Sequence, residues 1–310
     1  MKNTVQELSN ETTTSSTGIS DLQGKRWLKE VLKAAQQKMF FHQFAYVADA
    51  GPGIKDVAVP IASTNKNMTD SKSEAAARTL TEIDNLTAVT FTPTSHNFGV
   101  AISAEVVRTS QVDVVAFARE QMAYAIALDI DGAFATAITA ATPATTLYGG
   151  DATSVGDLAT GDILTTDLLA TAQRALKVNG WVSEPDKPIV CFISPYQEEA
   201  LMKDSQFVNA AEYGNNEVVM NGEIGKYLGM KVISTNQVTS YTATTAWGVA
   251  GHQCFVLKAK VAYGIVYGQR PKLDWEYKKN EAATFIYLDA SYLCDSLQDG
   301  AIVHIDVSDA

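Results

Sequence analysis

The sequence predicts an α+β chain, and three observations carry that reading. Two extended segments around a long polar tip lie between residues 46 and 95; an unusually long helical pattern covers residues 111–140; and helices alternate with short apolar strands over residues 161–263. With 310 residues, 46% of them hydrophobic and 19% charged, the chain can bury a sizeable core as one large domain or two smaller ones.

Residues 1–24, including Thr12, Thr13, Thr14, Ser15, Ser16, Thr17 and Gly18, show no periodicity and read as a flexible arm. Residues 26–41 look helical. Trp27, Val31, Ala34 and Ala35 recur at helix spacing, and Lys25, Lys29, Lys33 and Lys38 take other faces. These lysines read as a solvated face, with nucleic-acid contact as the alternative. Residues 1–78 hold 10 basic and 8 acidic side chains, so the net charge of -11 is concentrated in the rest of the chain. An acidic balance argues against binding nucleic acid through neutralised phosphates.

From Val57 the period changes to two, with Val59 and Ile61 following it and Pro60 barring a central strand position. A second extended run covers residues 81–92, and the intervening stretch 63–72 is too polar for a core. Together they describe a projecting hairpin. An isolated hairpin is marginal in water, so another chain is expected to hold it. Phe98, Val100 and Ile102 alternate again before the long helix, on which Met122, Ile126, Ile130, Ala133 and Ala137 are expected to share one face. Asp129 and Asp131 lie two apart on that helix and so point to different faces; they read as solvent-facing or capping residues, not as an acid–base pair. No apolar run approaches the ~18 residues of a membrane helix, and the N-terminus lacks the apolar core of a signal peptide.

Thr166 or Asp167 begins a helix with Leu168, Ala172, Ala175 and Leu176 on one face and Gly180 as its stop. Ile189, Val190, Cys191, Phe192 and Ile193 are apolar without interruption, the mark of a strand buried on both sides. Ser194, Pro195 and Gln197 follow with the spacing of a capping box. A nucleophilic serine is the sharper alternative for Ser194, but no G-x-S-x-G surrounds it. The stretch from Asn221 through Gly222, Gly225 and Gly229 predicts a tight connection into a strand over Met230, Lys231, Val232 and Ile233. Gly225-Lys226 ends like a phosphate-binding loop, but Met220 and Tyr227 stand where that loop needs glycine and Ser or Thr. Further strands are expected over residues 254–257, 262–266, 284–288 and 301–307.

Gly222, Ile224, Gly225, Gly229, Val232, Ser234, Asn236 and Val238 resemble the central-domain signature of tailed-phage major capsid proteins with the Hong Kong 97 fold. Phe98, Gly99, Ser103 and Glu105 are similar to the segment that leads, in that family, from the extended loop into the spine helix. The resemblance implies an N-terminal arm with a short helix (1–45), an extended β-hairpin loop (46–95), a peripheral domain with the spine helix (96–160), an axial α/β domain (161–263) and a return to the peripheral domain (264–310). It implies a shell of hexamers and pentamers around double-stranded DNA bound without sequence specificity. Portal, scaffold and decoration proteins are the expected partners, with assembly in the host cytoplasm and a final place in the virion. The alternative within the same fold is an encapsulin-like nanocompartment, and the remote alternative is an α/β enzyme such as a hydrolase.

No catalytic, cofactor-binding or metal residue is assigned. Cys191, Cys254 and Cys294 form no CxxC pair and read as buried thiols. His42, His96, His252 and His304 are scattered, with no HExxH and no dinucleotide glycine pattern. The sequons at Asn10, Asn67 and Asn85 are expected by chance in a threonine-rich chain.

Overall fold

A computed structural model describes residues 39–51, 53–62, 85–110, 113–204, 226–244 and 247–309. The expected arm, nearly all of the expected helix at 26–41, the polar tip at 63–72, Gly222, Ile224 and Gly225, and the sequons at Asn10 and Asn67 lie outside these residues.

In chain order the elements are helix α1 (Phe41–Phe44), strands β1 (Tyr46–Asp49), β2 (Val57–Ala62), β3 (Leu86–Phe91) and β4 (Thr94–Ser103), helices α2 (Ala104–Thr109) and α3 (Val114–Ala140), and strand β5 (Thr145–Tyr148). Helix α4 (Thr166–Val178), strand β6 (Ile189–Ile193) and helix α5 (Pro195–Lys203) follow. The chain then runs through β7 (Lys226–Tyr227), β8 (Met230–Ser234), β9 (Ser240–Tyr241), β10 (Gly251–Lys258), β11 (Tyr263–Lys278), β12 (Ala283–Ser296) and β13 (Ile302–Ser308). They form three sheets: β1-β11-β12-β4; β5-β13-β10-β6-β8-β7 with β9 on β10; and the pair β2-β3.

The expected central strand is β6, buried along its whole length between antiparallel β10 and parallel β8. Its apolar run is legible because both faces are covered, one by α4 through Leu169, Ala172 and Leu176, the other by Phe41 and Phe255. Helix α4 begins at Thr166 as expected, with Thr165 accepting the Leu168 N–H. At its end the Gly180 N–H reaches Lys177 O and the Trp181 N–H reaches Leu176 O, the paired bonds of a Schellman stop. Strand β13 carries His304 and Asp306 as well as apolar residues, yet all seven of its positions are buried. It pairs with β10 and β5, so the last segment of the chain lies in the larger sheet, whereas β11 and β12 lie in the four-stranded one.

The long helix is α3, 27 residues or about 40 Å. Its buried stripe differs from the expected one: Ala118, Met122, Ile126, Ile130, Phe134 and Ile138 lie inward, and Ala133 and Ala137 are only partly covered. The cause is a change of partner along the helix. Steps of four overshoot a full turn by about 40°, so the stripe winds round the helix. Ala118 and Met122 meet Ile102, Ile286 and Leu288 of the four-stranded sheet, whereas Phe134 and Ile138 meet the core around Phe41 and Tyr263. Ile126 touches both clusters. The helix is thus the strut between two cores, and its residues are apolar on nearly every side. By length and composition it could cross a membrane, contrary to the run-based expectation, because Asp129 and Asp131 interrupt its apolar run without outweighing it. Burial of its central residues in this fold gives that composition another cause.

The hairpin is present as β2 paired antiparallel with β3, from Val57 opposite Phe91 to Ala62 opposite Leu86. Its root is held by its own chain: Phe91 is fully buried with Val266 and Leu297, and Val57, Val59 and Val89 pack against them. Farther out, Ile61 and Ala62 line a hollow with Trp181 and Leu297, and Leu86 is 67% exposed among the described residues.

The expected tight connection is seen from Lys226 on. Leu228 (φ 51°) and Gly229 (φ 82°) form a two-residue turn between β7 and β8, with both central residues left-handed as such turns require. A Cβ on Gly229 would meet nothing within 4 Å, so only the backbone conformation resists substitution. Gly229→Val is expected to cost about 1 kcal/mol or more, and Gly229→Asn much less. Urea midpoints of the two variants test this; equal midpoints would show that the turn can change conformation freely.

Candidate functional site

The residues singled out for chemistry are placed in structural roles. Asp129 and Asp131 do point to different faces of α3. Asp129 is exposed and accepts a hydrogen bond from the Tyr292 hydroxyl, and His96 Nδ1 lies 3.3 Å from it. Asp131 corrects the expectation of a solvent-facing or capping role on its own helix: it is 1% exposed, and its Oδ1 accepts the Phe41 N–H at 3.0 Å. It anchors the chain before β1 to the strut. Burial pushes its carboxyl up to about 6, and its Oδ2 has no hydrogen-bond partner among the described residues. Asp306 stands opposite Gln253 between β13 and β10, likewise pushed by burial up to about 6.

Ser194 is buried at the N-terminus of α5, where its oxygen accepts the Tyr196 N–H at 3.2 Å. The capping box departs from the reciprocal form, since the Ser194 hydroxyl donates to Gln197 Oε1 and Gln197 Nε2 donates to Asp309 Oδ1 at 3.1 Å. Asp309 also lies 2.6 Å from His252 Nδ1. Gln197 and Asp309 thus stand between the hydroxyl and the imidazole, so the chain of bonds ties the residue after β13 to β10 and α5 without presenting a base to the serine.

The other histidines and the cysteines are packed. His304 bonds Ile138 O at 2.9 Å, and burial lowers its affinity for a proton. His42 contacts the Tyr267 hydroxyl at 3.1 Å. All three cysteines are free and buried; burial pushes the Cys191 thiol up to about 12 and raises the other two, far from a reactive thiolate. Among the described residues no group of three or more His, Cys, Asp or Glu is placed to hold a metal ion.

The surface holds features that sequence reasoning missed. Strand β11 runs twelve residues beyond its expected end at Val266 and pairs with β12, which runs eight beyond its own at Leu288. Beyond Tyr267 it has no second neighbour among the described residues, because β1 pairs with Gly264 to Tyr267. The open edge explains why Pro271 is tolerated there. It also leaves Trp275 64% exposed and Tyr277 48% exposed. The alternation of Leu273, Trp275 and Tyr277 with Asp274, Glu276 and Lys278 was the available signal, hidden by the high charge of the segment. The resemblance residues fall at one joint: Phe98 and Gly99 lie on β4, and Ser103 caps α2 by accepting the Val106 N–H at 3.3 Å.

Among the described residues, an exposed hairpin end, an aromatic strand edge and a long helix joining two cores are features of a building element. Comparison with known proteins agrees. No curated protein sequence matches the chain. In solved structures the fold is similar to that in the capsid of Ralstonia phage GP4 (16% identity, 92% of this chain and 95% of that one, TM-score 0.70). It is also similar to the capsid structure of cyanophage P-SCSP1u (20% identity, 94% of each chain, TM-score 0.72) and to the cyanophage Pam1 capsid asymmetric unit (13% identity, 93% and 98%, TM-score 0.70). These likenesses bear out the Hong Kong 97-type α+β fold. The sequence profile described as "Phage capsid protein" matches residues 86–285, from the second strand of the hairpin to the start of β12. On that match the chain belongs to the phage capsid protein family, whose members are non-enzymatic structural components of the virion that work as assemblies of copies.

Proposed function

We propose that this chain is the major subunit of an icosahedral head shell that encloses the double-stranded DNA of a tailed virus, arranged as hexamers and pentamers. The observation that carries the reading is the hairpin of β2 and β3: rooted in its own core through Phe91, it leaves Leu86 at its outer end 67% exposed among the described residues. Many modest interfaces of this kind, closed by symmetry, add up to a stable container. The acidic balance of the chain fits a wall that need not attract DNA. A portal, a scaffold and decoration proteins complete the proposed assembly, which forms in the host cytoplasm. We also propose the division into arm (1–45), extended loop (46–95), peripheral domain (96–160 and 264–310) and axial domain (161–263), with β13 joined by its pairing to the axial sheet.

Negative-stain electron microscopy of the purified protein tests the reading, with closed shells as the expected result. Replacing residues 60–88 by a short Gly-Ser linker is expected to leave subunits folded and to abolish closed shells. Normal shells from that variant, or only monomers from the unaltered chain under any assembly condition, would overturn it. Shells that copurify with a cargo enzyme and no nucleic acid would indicate a nanocompartment.

A further inference from the structure

The outer reach of β11 is an open strand edge whose sequence is its own complement. Among the described residues no strand pairs with it beyond Tyr267 on the side away from β12, and its register with β12 is regular from Lys272 to Lys278. Such an edge is a template for another strand. On one side of Leu273 stand Lys272, Pro271 and Arg270, and on the other Asp274, Trp275 and Glu276. Each basic residue thus has an acidic one at the same distance across Leu273, and the proline has the tryptophan. All six flanking residues are exposed. Trp275 is 64% exposed although it stands opposite Ile286, which is fully buried against α3 with Leu288.

We propose that two copies of this chain pair through these edges, antiparallel and related by a two-fold axis at Leu273, so that their four-stranded sheets join. In this register Leu273 faces its own copy, Lys272 faces the partner's Asp274, Pro271 faces the partner's Trp275 and Arg270 faces the partner's Glu276. An isologous contact makes each unlike pairing twice, so four opposite-charge pairs flank the axis. Lys272 already holds Asp274 of its own chain at 2.8 Å, an exposed pair that the second copy can exchange. Arg270 holds Asp49 through Nε and one terminal nitrogen, which leaves donors for the partner's Glu276. Charge fixes the register: moving the axis by one residue sets Asp274 against Asp274 or Lys272 against Lys272, and a half-step sets charged residues against apolar ones. Length fits as well. The partner's β11 ends at Lys278, opposite Gly268, one residue short of Tyr267, where β1 leaves the edge. Proline and charge on an edge discourage unspecific pairing, and here they admit one arrangement. The pairing needs two subunits and no shell; inside a shell it supplies a contact across a two-fold axis.

The test is disulfide trapping in the full-length protein at high concentration, with oxidised glutathione and non-reducing electrophoresis. The natural cysteines are buried, so an introduced one reports alone. Leu273→Cys is expected to form linked dimers at least tenfold faster than Trp275→Cys, whose two copies stand four residues apart along the strands, roughly 13 Å, beyond the ~7 Å a disulfide can bridge. Random collision predicts the reverse, because Trp275 is the more exposed. Pro271→Cys mixed with Trp275→Cys is expected to give mixed dimers, a second measurement that leaves Leu273 in place. In the Leu273→Cys chain, Lys272→Asp and Asp274→Lys are each expected to slow linking about tenfold, and mixing these two chains to restore it. That rescue cannot arise within a chain, since each variant alone carries like charges at 272 and 274. Trp275→Cys linking as fast as Leu273→Cys, charge variants without effect, or no rescue on mixing would each overturn the proposal. Electron microscopy of the same samples reports separately whether shells are present.

Discussion

Phe41→Ala is expected to destabilise the subunit by about 3–5 kcal/mol, the range for removing a large aromatic side chain from a packed core. Phe41 is fully buried, with its ring centroid 4.3 Å from that of Phe192 on the larger sheet and 6.4 Å from that of Tyr263 at the start of β11. The Tyr263 hydroxyl donates to Phe41 O at 2.7 Å, and Asp131 accepts its N–H, so the short segment before β1 is held from three elements. Truncation would open a cavity where β6 and β11 meet α3, a place unable to collapse without moving α3. Urea unfolding of unassembled subunits measures the loss. A change below about 1 kcal/mol would show that the joint relaxes and that this residue does not hold the core around it.

Between pH 4 and pH 8 the subunit is expected to lose stability through Asp131 and Asp306. Burial lifts both carboxyls from the ordinary 3.8 to about 6 in the folded state. A folded pKa above the unfolded one means that the native state binds the extra proton. The stabilising contribution is therefore complete below the ordinary value and is lost as pH rises through about 6. Asp131→Asn keeps an oxygen for the Phe41 N–H, and Asp306→Asn keeps one for Gln253, while neither introduces a buried charge. Each substitution is expected to raise stability at pH 8 by on the order of 1–2 kcal/mol and the pair to flatten the profile. Chemical denaturation across the pH range checks the sign. Variants less stable than the parent at pH 8 would show that the ionised carboxylates are stabilised by groups the desolvation argument leaves out.

Pattern and local chemistry determined much of this protein from the sequence. The strand at β6, the helix stop at Gly180, the serine cap of α5, the hairpin of β2 and β3, the turn into β8 and the length of α3 all follow from nearest neighbours along the chain, because burial on both faces, capping and turn geometry are set within a few residues. The spacing of glycines with Phe98, Ser103 and Glu105 pointed to the capsid fold for the same local reason. Tertiary structure alone decided what depends on a distant partner. Ala133 and Ala137 gave way to Phe134 and Ile138 because α3 changes partners midway, and no single helical face can represent that winding contact. Asp131 became buried because a segment 90 residues earlier in the chain brings it an N–H. The length of β11 stayed hidden because an edge strand is set by its pairing with β12 and not by its own apolar content.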